Sequence, residues 1–200
     1  MSRTVVPQGL PDLPPGMPAQ GEWTYEDYCR IPDDGKRYEV IRGVLYLSPA
    51  PRMPHQECSG NFYFRLRSFV EPRGLGKVHY APVDVILPGL ATPVQPDILF
   101  VAEARKQIVE LKYVHGAPDL LVEVLSPSNP SHDRKTKFAL YAEAGVAEYW
   151  ILDSRARTIS VFALEGKAYK LHCRSGRGET ATSRLIEGFE VAVDDICDGR

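Results

Sequence analysis

Two hundred residues, 44% of them hydrophobic and 25% charged, suffice for one sizeable core and exclude disorder for the bulk of the chain. A formal net charge of −2 excludes a global basic footprint for coating nucleic acid, although a local basic face escapes the sum. The four cysteines, Cys29, Cys58, Cys173 and Cys197, form no CxxC pair, and no apolar run nears the ~18 residues of a membrane span; reduced thiols, a cytoplasmic location and no membrane partner are expected.

Residues 1–20 hold the prolines Pro7, Pro11, Pro14, Pro15 and Pro18 and few large apolar groups. They read as a flexible arm ahead of a single domain over 21–200. Thr24 is placed to cap a short helix through Arg30, with Asp27 completing a capping box. Pro32 and Asp33-Asp34-Gly35 stop it. Stretches 37–41 and 44–47 then predict a hairpin about Arg42-Gly43. Cys58, Phe62, Leu66, Phe69 and Val70 follow helical spacing over 55–70, and Pro72 and Gly74 end that helix. Strands are predicted at 77–87, 97–101 and 119–125, with the polar stretch 103–114 as an exposed excursion. A second long helix is expected over 133–144, with Gly145 as its C-terminal stop. A strand at 148–152 and a hairpin of 158–164 with 168–172 follow, then one or two edge strands. The order helix, strand, strand, strand, helix, strand supports an α/β or α+β architecture with helices against a mixed sheet.

Glu123 is the most informative residue, the lone acid in Leu120-Leu121-Val122-Glu123-Val124-Leu125. An uncompensated buried carboxylate is strongly disfavoured, so it calls for a cation, a proton or a partner. Strand alternation turns Asp119, Leu121, Glu123 and Leu125 to one face and Leu120, Val122 and Val124 to the other. Asp97 enters the preceding strand. If the two strands are neighbours, Asp97 and Glu123 converge on one metal. Mg²⁺ or Mn²⁺ wants oxygen donors and keeps several waters, so two carboxylates with the backbone carbonyl of Val124 suffice. Lys137 lies four residues before Tyr141, on the helix face that holds Phe138, and is turned inward; Arg134 and Lys135 look outward.

Other candidates have plainer readings. Asp84 alternates with Val83 and Val85 and is either a neighbour of the site or structural. His55, ahead of the first long helix, either binds phosphate or caps the helix. Asp119 reads as a turn acid after Pro118, and Tyr141 as core packing with a polar tip. His55 with Cys58, or His172 with Cys173, does not make a thiol enzyme without an oriented pair and an oxyanion site. No GxSxG elbow is present.

Several of these residues recur together, in order, in a known family. They are Glu39 within Arg37-Tyr38-Glu39-Val40-Ile41-Arg42-Gly43, the Gln95-Pro96-Asp97 step, the run from Pro118-Asp119 through Glu123 to Ser126-Pro127-Ser128, Asp133-x-x-x-Lys137, and Gly145-Val146-Ala147-Glu148-Tyr149-Trp150. Over roughly residues 22–196 the chain resembles the Uma-type family of restriction endonucleases, a branch of the PD-(D/E)xK nucleases. The resemblance implies a restriction-endonuclease-like core with Asp97 and Glu123 as metal-binding acids and Glu39 as a further acid. The superfamily pattern wants lysine where this chain has Leu125; in the Uma-type branch its place is taken from the next helix, at Lys137. A Mg²⁺- or Mn²⁺-dependent DNA endonuclease is the implied function. It would meet DNA through Arg52, Arg65, Arg67, Arg73 and Arg134, as a homodimer if both strands are cut. The alternatives are a catalytically silent nucleic-acid-binding or protein-interaction module on a nuclease scaffold, and a phosphodiesterase of small nucleotides.

Overall fold

The computed structural model describes residues 13, 15–48, 50–126 and 132–198, with 132–134 described by their backbone alone. Most of the proline-rich stretch and residues 127–131 lie outside these residues. In chain order the elements are α1 (Tyr25–Cys29), β1 (Arg37–Ile41), β2 (Val44–Ser48), α2 (Met53–Val70), β3 (Gly76–Tyr80), β4 (Asp84–Leu87), β5 (Ala91–Val94) and β6 (Ile98–Ala102). A 3₁₀ turn (Glu103–Ile108), β7 (Tyr113–His115), β8 (Leu120–Val124), a π-helical turn (His132–Lys137), α3 (Phe138–Ala144) and β9 (Glu148–Asp153) follow. The chain closes with β10 (Thr158–Glu165), β11 (Ala168–Ser175), β12 (Thr180–Thr182), β13 (Glu190–Ala192) and α4 (Val193–Cys197).

These strands form a six-stranded sheet in the order β11-β10-β9-β8-β6-β3, a five-stranded sheet in the order β2-β1-β5-β4-β7, and a β12-β13 pair. The six-stranded sheet is mixed, with β8 antiparallel to β6 and parallel to β9. This is the α+β arrangement, few helices against mixed sheets, that the order of elements implied.

β8 sits at the centre because its sequence allows no wet face. Leu120, Val122 and Val124 enter a core with Phe62, Leu66 and Trp150 under α2. Leu121 and Leu125 enter a second core with Leu140, Tyr141, Val146 and Tyr149 under α3. Each fully buried leucine contributes about 1.5–3 kcal/mol of transfer free energy. A third cluster of Trp23, Tyr38, Val40 and Leu45 backs the β1-β2 hairpin, with Met17 packed against it.

Local signals account for most element ends. Thr24 caps α1, and the reciprocal bond from Asp27 completes the capping box. Gly145 ends α3 with φ 86°. The β1-β2 turn places both Arg42 (φ 51°) and Gly43 (φ 72°) in the left-handed region. At Gly43 the reason for glycine is also steric: a Cβ would stand 2.3 Å from the carbonyl oxygen of Gly21.

Three expectations need correction, and one strand, β5, had no counterpart among them. The predicted strand 77–87 is two strands in different sheets, β3 and β4, divided at Ala81-Pro82, where proline removes a ladder donor. β5 was hidden by Pro93, which reads as a strand breaker. The polar excursion 103–114 carries β7, which pairs in parallel with β4. The C-terminal strands β12 and β13 pair with each other instead of extending a large sheet.

Candidate active site

The chain crosses from one sheet to the other in three residues, from Val94 at the end of β5 through Gln95-Pro96-Asp97 to Ile98 at the start of β6. This crossing brings acids from both sheets to one place. Register pairs Ile98 with Val122, so one step further Asp97 falls opposite Glu123. The Asp97 carboxylate accepts the N–H of Val124 at 2.9 Å, standing in for the strand that has not yet begun. The same oxygen lies 3.1 Å from Nε2 of His55 on the first turn of α2.

Glu123 points to the α3 side of the sheet, as alternation required. Its Oε1 accepts from Lys137 Nζ at 2.9 Å and from the Tyr141 hydroxyl at 2.7 Å. Lys137 Nζ also lies 3.0 Å from Oε1 of Glu39, which β1 supplies from the other sheet. The backbone N–H of Gln95 donates to that Glu39 oxygen at 2.7 Å, and Ser48 Oγ donates to Oε2 at 3.3 Å. Glu39, Asp97, Glu123 and Lys137 are all buried. One ammonium thus bridges carboxylates from two sheets.

Lys137 lies where the π-helical turn passes into α3. A π turn inserts a residue relative to α spacing and changes which side chain faces inward. Tyr141, one α turn later, points the same way. Its hydroxyl is held protonated far above the usual phenol range, by burial first and then by the charges of Glu123 and Glu39. The plainer reading of Lys137, a pair with Asp133, concerns a side chain outside the described residues, as does that of Arg134.

Two carboxylates, Glu39 and Glu123, meet the one ammonium of Lys137, and the buried carboxylate of Asp97 lies nearby on the strand opposite Glu123, so acids outnumber the cation in a buried place. Such an excess is relieved by a divalent cation or by protons. The donors Asp97, Glu123 and the Val124 carbonyl are all hard oxygens, which suits Mg²⁺ or Mn²⁺. Among the described residues no three His, Cys, Asp or Glu side chains form a cage of their own. Water and backbone oxygens would have to complete any coordination, as Mg²⁺ sites commonly have it.

Three participants were underweighted in the sequence. Tyr141 was read as core, although its spacing from Lys137 was a usable signal. Gln95 was visible only as a motif letter, yet its backbone fixes Glu39. His55, expected either to bind phosphate or to cap α2, makes no side-chain cap and lies against Asp97. Asp119 is the expected turn acid, accepting from Ala102 N at 2.8 Å and Arg105 at 2.9 Å. Cys58 is buried, and a hydrogen bond with Cys197 followed by burial pushes its thiol far above the usual range, which unsuits it as a nucleophile. Of the arginines, Arg52 stands exposed at the N-terminal end of α2 beside His55. Arg65 pairs with Asp195, Arg67 with Glu71, and Arg73 lies over the ring of Phe69.

Comparison with known proteins bears on the fold and the family. No curated protein matches the sequence. Among solved structures, a "putative nuclease belonging to DUF820" from Anabaena variabilis ATCC 29413 superposes with a TM-score of 0.71. The match covers 88% of this chain and 98% of that one at 16% identity, so the likeness is one of fold. Residues 25–194 match the model of the Uma2 family, described as "Putative restriction endonuclease". With its core, its crossing segment and most of its length inside that match, the chain belongs to the Uma2 family.

Proposed function

We propose that the protein is a metal-dependent endonuclease that hydrolyses DNA phosphodiester bonds in the cytoplasm. The observation that carries this reading is the buried ammonium of Lys137 held between Glu123 and Glu39, acids that the two sheets supply on either side of the crossing 95–97. Asp97, Glu123 and the Val124 carbonyl would hold Mg²⁺ or Mn²⁺. When bound, the cation supplies Lewis acidity toward a phosphate and makes water a better nucleophile. Lys137 donates to the attacking water or to a phosphate oxygen, opposing the negative charge that grows in the transition state. Glu39 keeps Lys137 charged and aimed. Tyr141 fixes the Glu123 carboxylate, and His55 with Val124 N fixes that of Asp97. A homodimer would place two such centres on a duplex, one for each strand.

Supercoiled plasmid incubated with the protein should be nicked and linearised in Mg²⁺ or Mn²⁺ and left intact under a chelator. Asp97→Ala, Glu123→Ala and Lys137→Ala should each slow cleavage by about a hundredfold or more. Nicking that persists in the first two proteins assigns the activity to a contaminant. DNA that is bound but never cut, at any metal concentration, points to the catalytically silent module instead.

A further inference from the structure

A cavity of about 550 Å³ lies next to the site, on the other side of Gln95. Its size falls within the range of small-molecule sites, roughly 300–1,000 Å³. Tyr28, His79, Asp84, Gln95 and Tyr113 line it, so five groups able to hydrogen-bond or stack come from α1, β3, β4, the crossing segment and β7. Tyr25 steadies the two wall rings, stacking on Tyr28 at 5.8 Å and meeting Tyr113 edge-on at 6.0 Å between centroids.

The polar groups converge in a particular way. Asp84 Oδ1 accepts from Gln95 Nε2 at 2.7 Å and lies 3.3 Å from the Tyr28 hydroxyl. Asp84 Oδ2 makes no hydrogen bond with the described residues. On the neighbouring wall, Nε2 of His79 is buried without a hydrogen-bond partner among them. Glu110 and Lys112 offset each other in the lining, and the free oxygen of Asp84 is an acceptor for N–H. Tyrosine rings offer flat faces on which a heterocycle stacks.

We propose that this cavity binds a nucleobase bearing an exocyclic amino group, which donates to Asp84 while its ring lies against Tyr28 or Tyr113. The source of the base rests on the nuclease reading: an unstacked base of the nucleic acid being cut. Aspartate accepting from an exocyclic amino group is an established form of base readout, and extruded bases are held by edge contacts and stacking. Gln95 joins the two places. Its side chain anchors Asp84 in the cavity, and its backbone holds Glu39 in the cutting site.

The test is calorimetric titration of four free nucleosides, without metal, into the full chain and into its Asp84→Asn and Glu123→Gln variants. Cytidine differs from uridine, and guanosine from inosine, in the amino group. The unsubstituted protein should prefer the amino-bearing member of at least one pair by about tenfold. Asp84→Asn should erase or reverse that preference, because its amide can donate to a carbonyl. Glu123→Gln, lacking the catalytic acid, should keep it. The proposal is overturned by no saturable binding, by equal affinities within both pairs, by a preference that survives Asp84→Asn, or by its loss in Glu123→Gln. Should Asp84→Asn fail to fold, ring resonances of the unsubstituted protein decide: saturable shifts at His79, Tyr28 and Tyr113 support the site, and shifts confined elsewhere refute it. None of the four ligands contains a phosphodiester, so a protein that never cuts DNA leaves this result untouched.

Discussion

Lys137 pays its desolvation only because two carboxylates meet it, and the converse holds for Glu39 and Glu123. Removing one partner of a buried ion pair is far costlier than never having built it, because the remaining charge stays buried. Lys137→Met should therefore destabilise the fold by about 3–5 kcal/mol in urea unfolding. Adding Glu39→Gln to that variant should recover part of the loss, whereas independent effects would simply add. Asp84 obeys the opposite logic. Burial, its largest influence, raises its pKa above the ordinary 3.8, so the folded state binds a proton that the unfolded chain releases. Its contribution to stability is intact below 3.8 and is lost as pH rises through the raised folded value. The stability difference between the Asp84→Asn variant and the unsubstituted protein should shift in favour of Asn as pH is raised through that window. A flat difference across pH would show that Asp84 is not strained by its surroundings.

At the scale of elements, glycine positions separate conformational from steric demand. Gly145 ends α3 with φ 86° and open space around a hypothetical Cβ, so Gly145→Ala should cost only the backbone penalty of about 1–2 kcal/mol. Gly43 adds a backbone clash with Gly21 to a similar φ, so Gly43→Ala should cost clearly more in the same unfolding experiment. The hairpin it closes carries Glu39, so cleavage should also fall in Gly43→Ala and not in Gly145→Ala. Elements of this kind were legible in the sequence because the signal is local. The capping box at Thr24, the hairpin turn and the helical stripe of α2 each sit within a few residues. Glu123 was legible because it breaks an apolar run, and Lys137 because it stands four residues before Tyr141 on an inward helix face. Short strands were not. β5 contains proline and β7 has three residues, so their pairing is decided by distant partners. Gln95 escaped because its bond to Glu39 is made by its backbone, which has no letter in the sequence.

Across the whole molecule the charge balance of −2 hides an uneven surface. On α2, Arg65 is committed to Asp195 of α4 and Arg67 to Glu71, whereas Arg52 stands at the end of that helix nearest Asp97. Thirteen residues of helix separate Arg52 from Arg65, about 20 Å of rise. Arg52→Ala should therefore weaken binding of a short duplex more than Arg65→Ala, and it should lower the dependence of affinity on salt by about one released counterion. Fluorescence anisotropy at several salt concentrations checks both points, and equal effects would move the DNA path along α2. The two-sheet construction has a last consequence, for the timing of biosynthesis. Glu39 belongs to one sheet and Glu123 to the other, with Lys137 arriving later than both along the chain. A nascent chain that has made only its amino-terminal half holds no lysine to complete the trio. On the proposed reading, any capacity to cut nucleic acid is thus withheld until translation has passed α3 and Lys137 can meet both acids, a safeguard that would need no inhibitor.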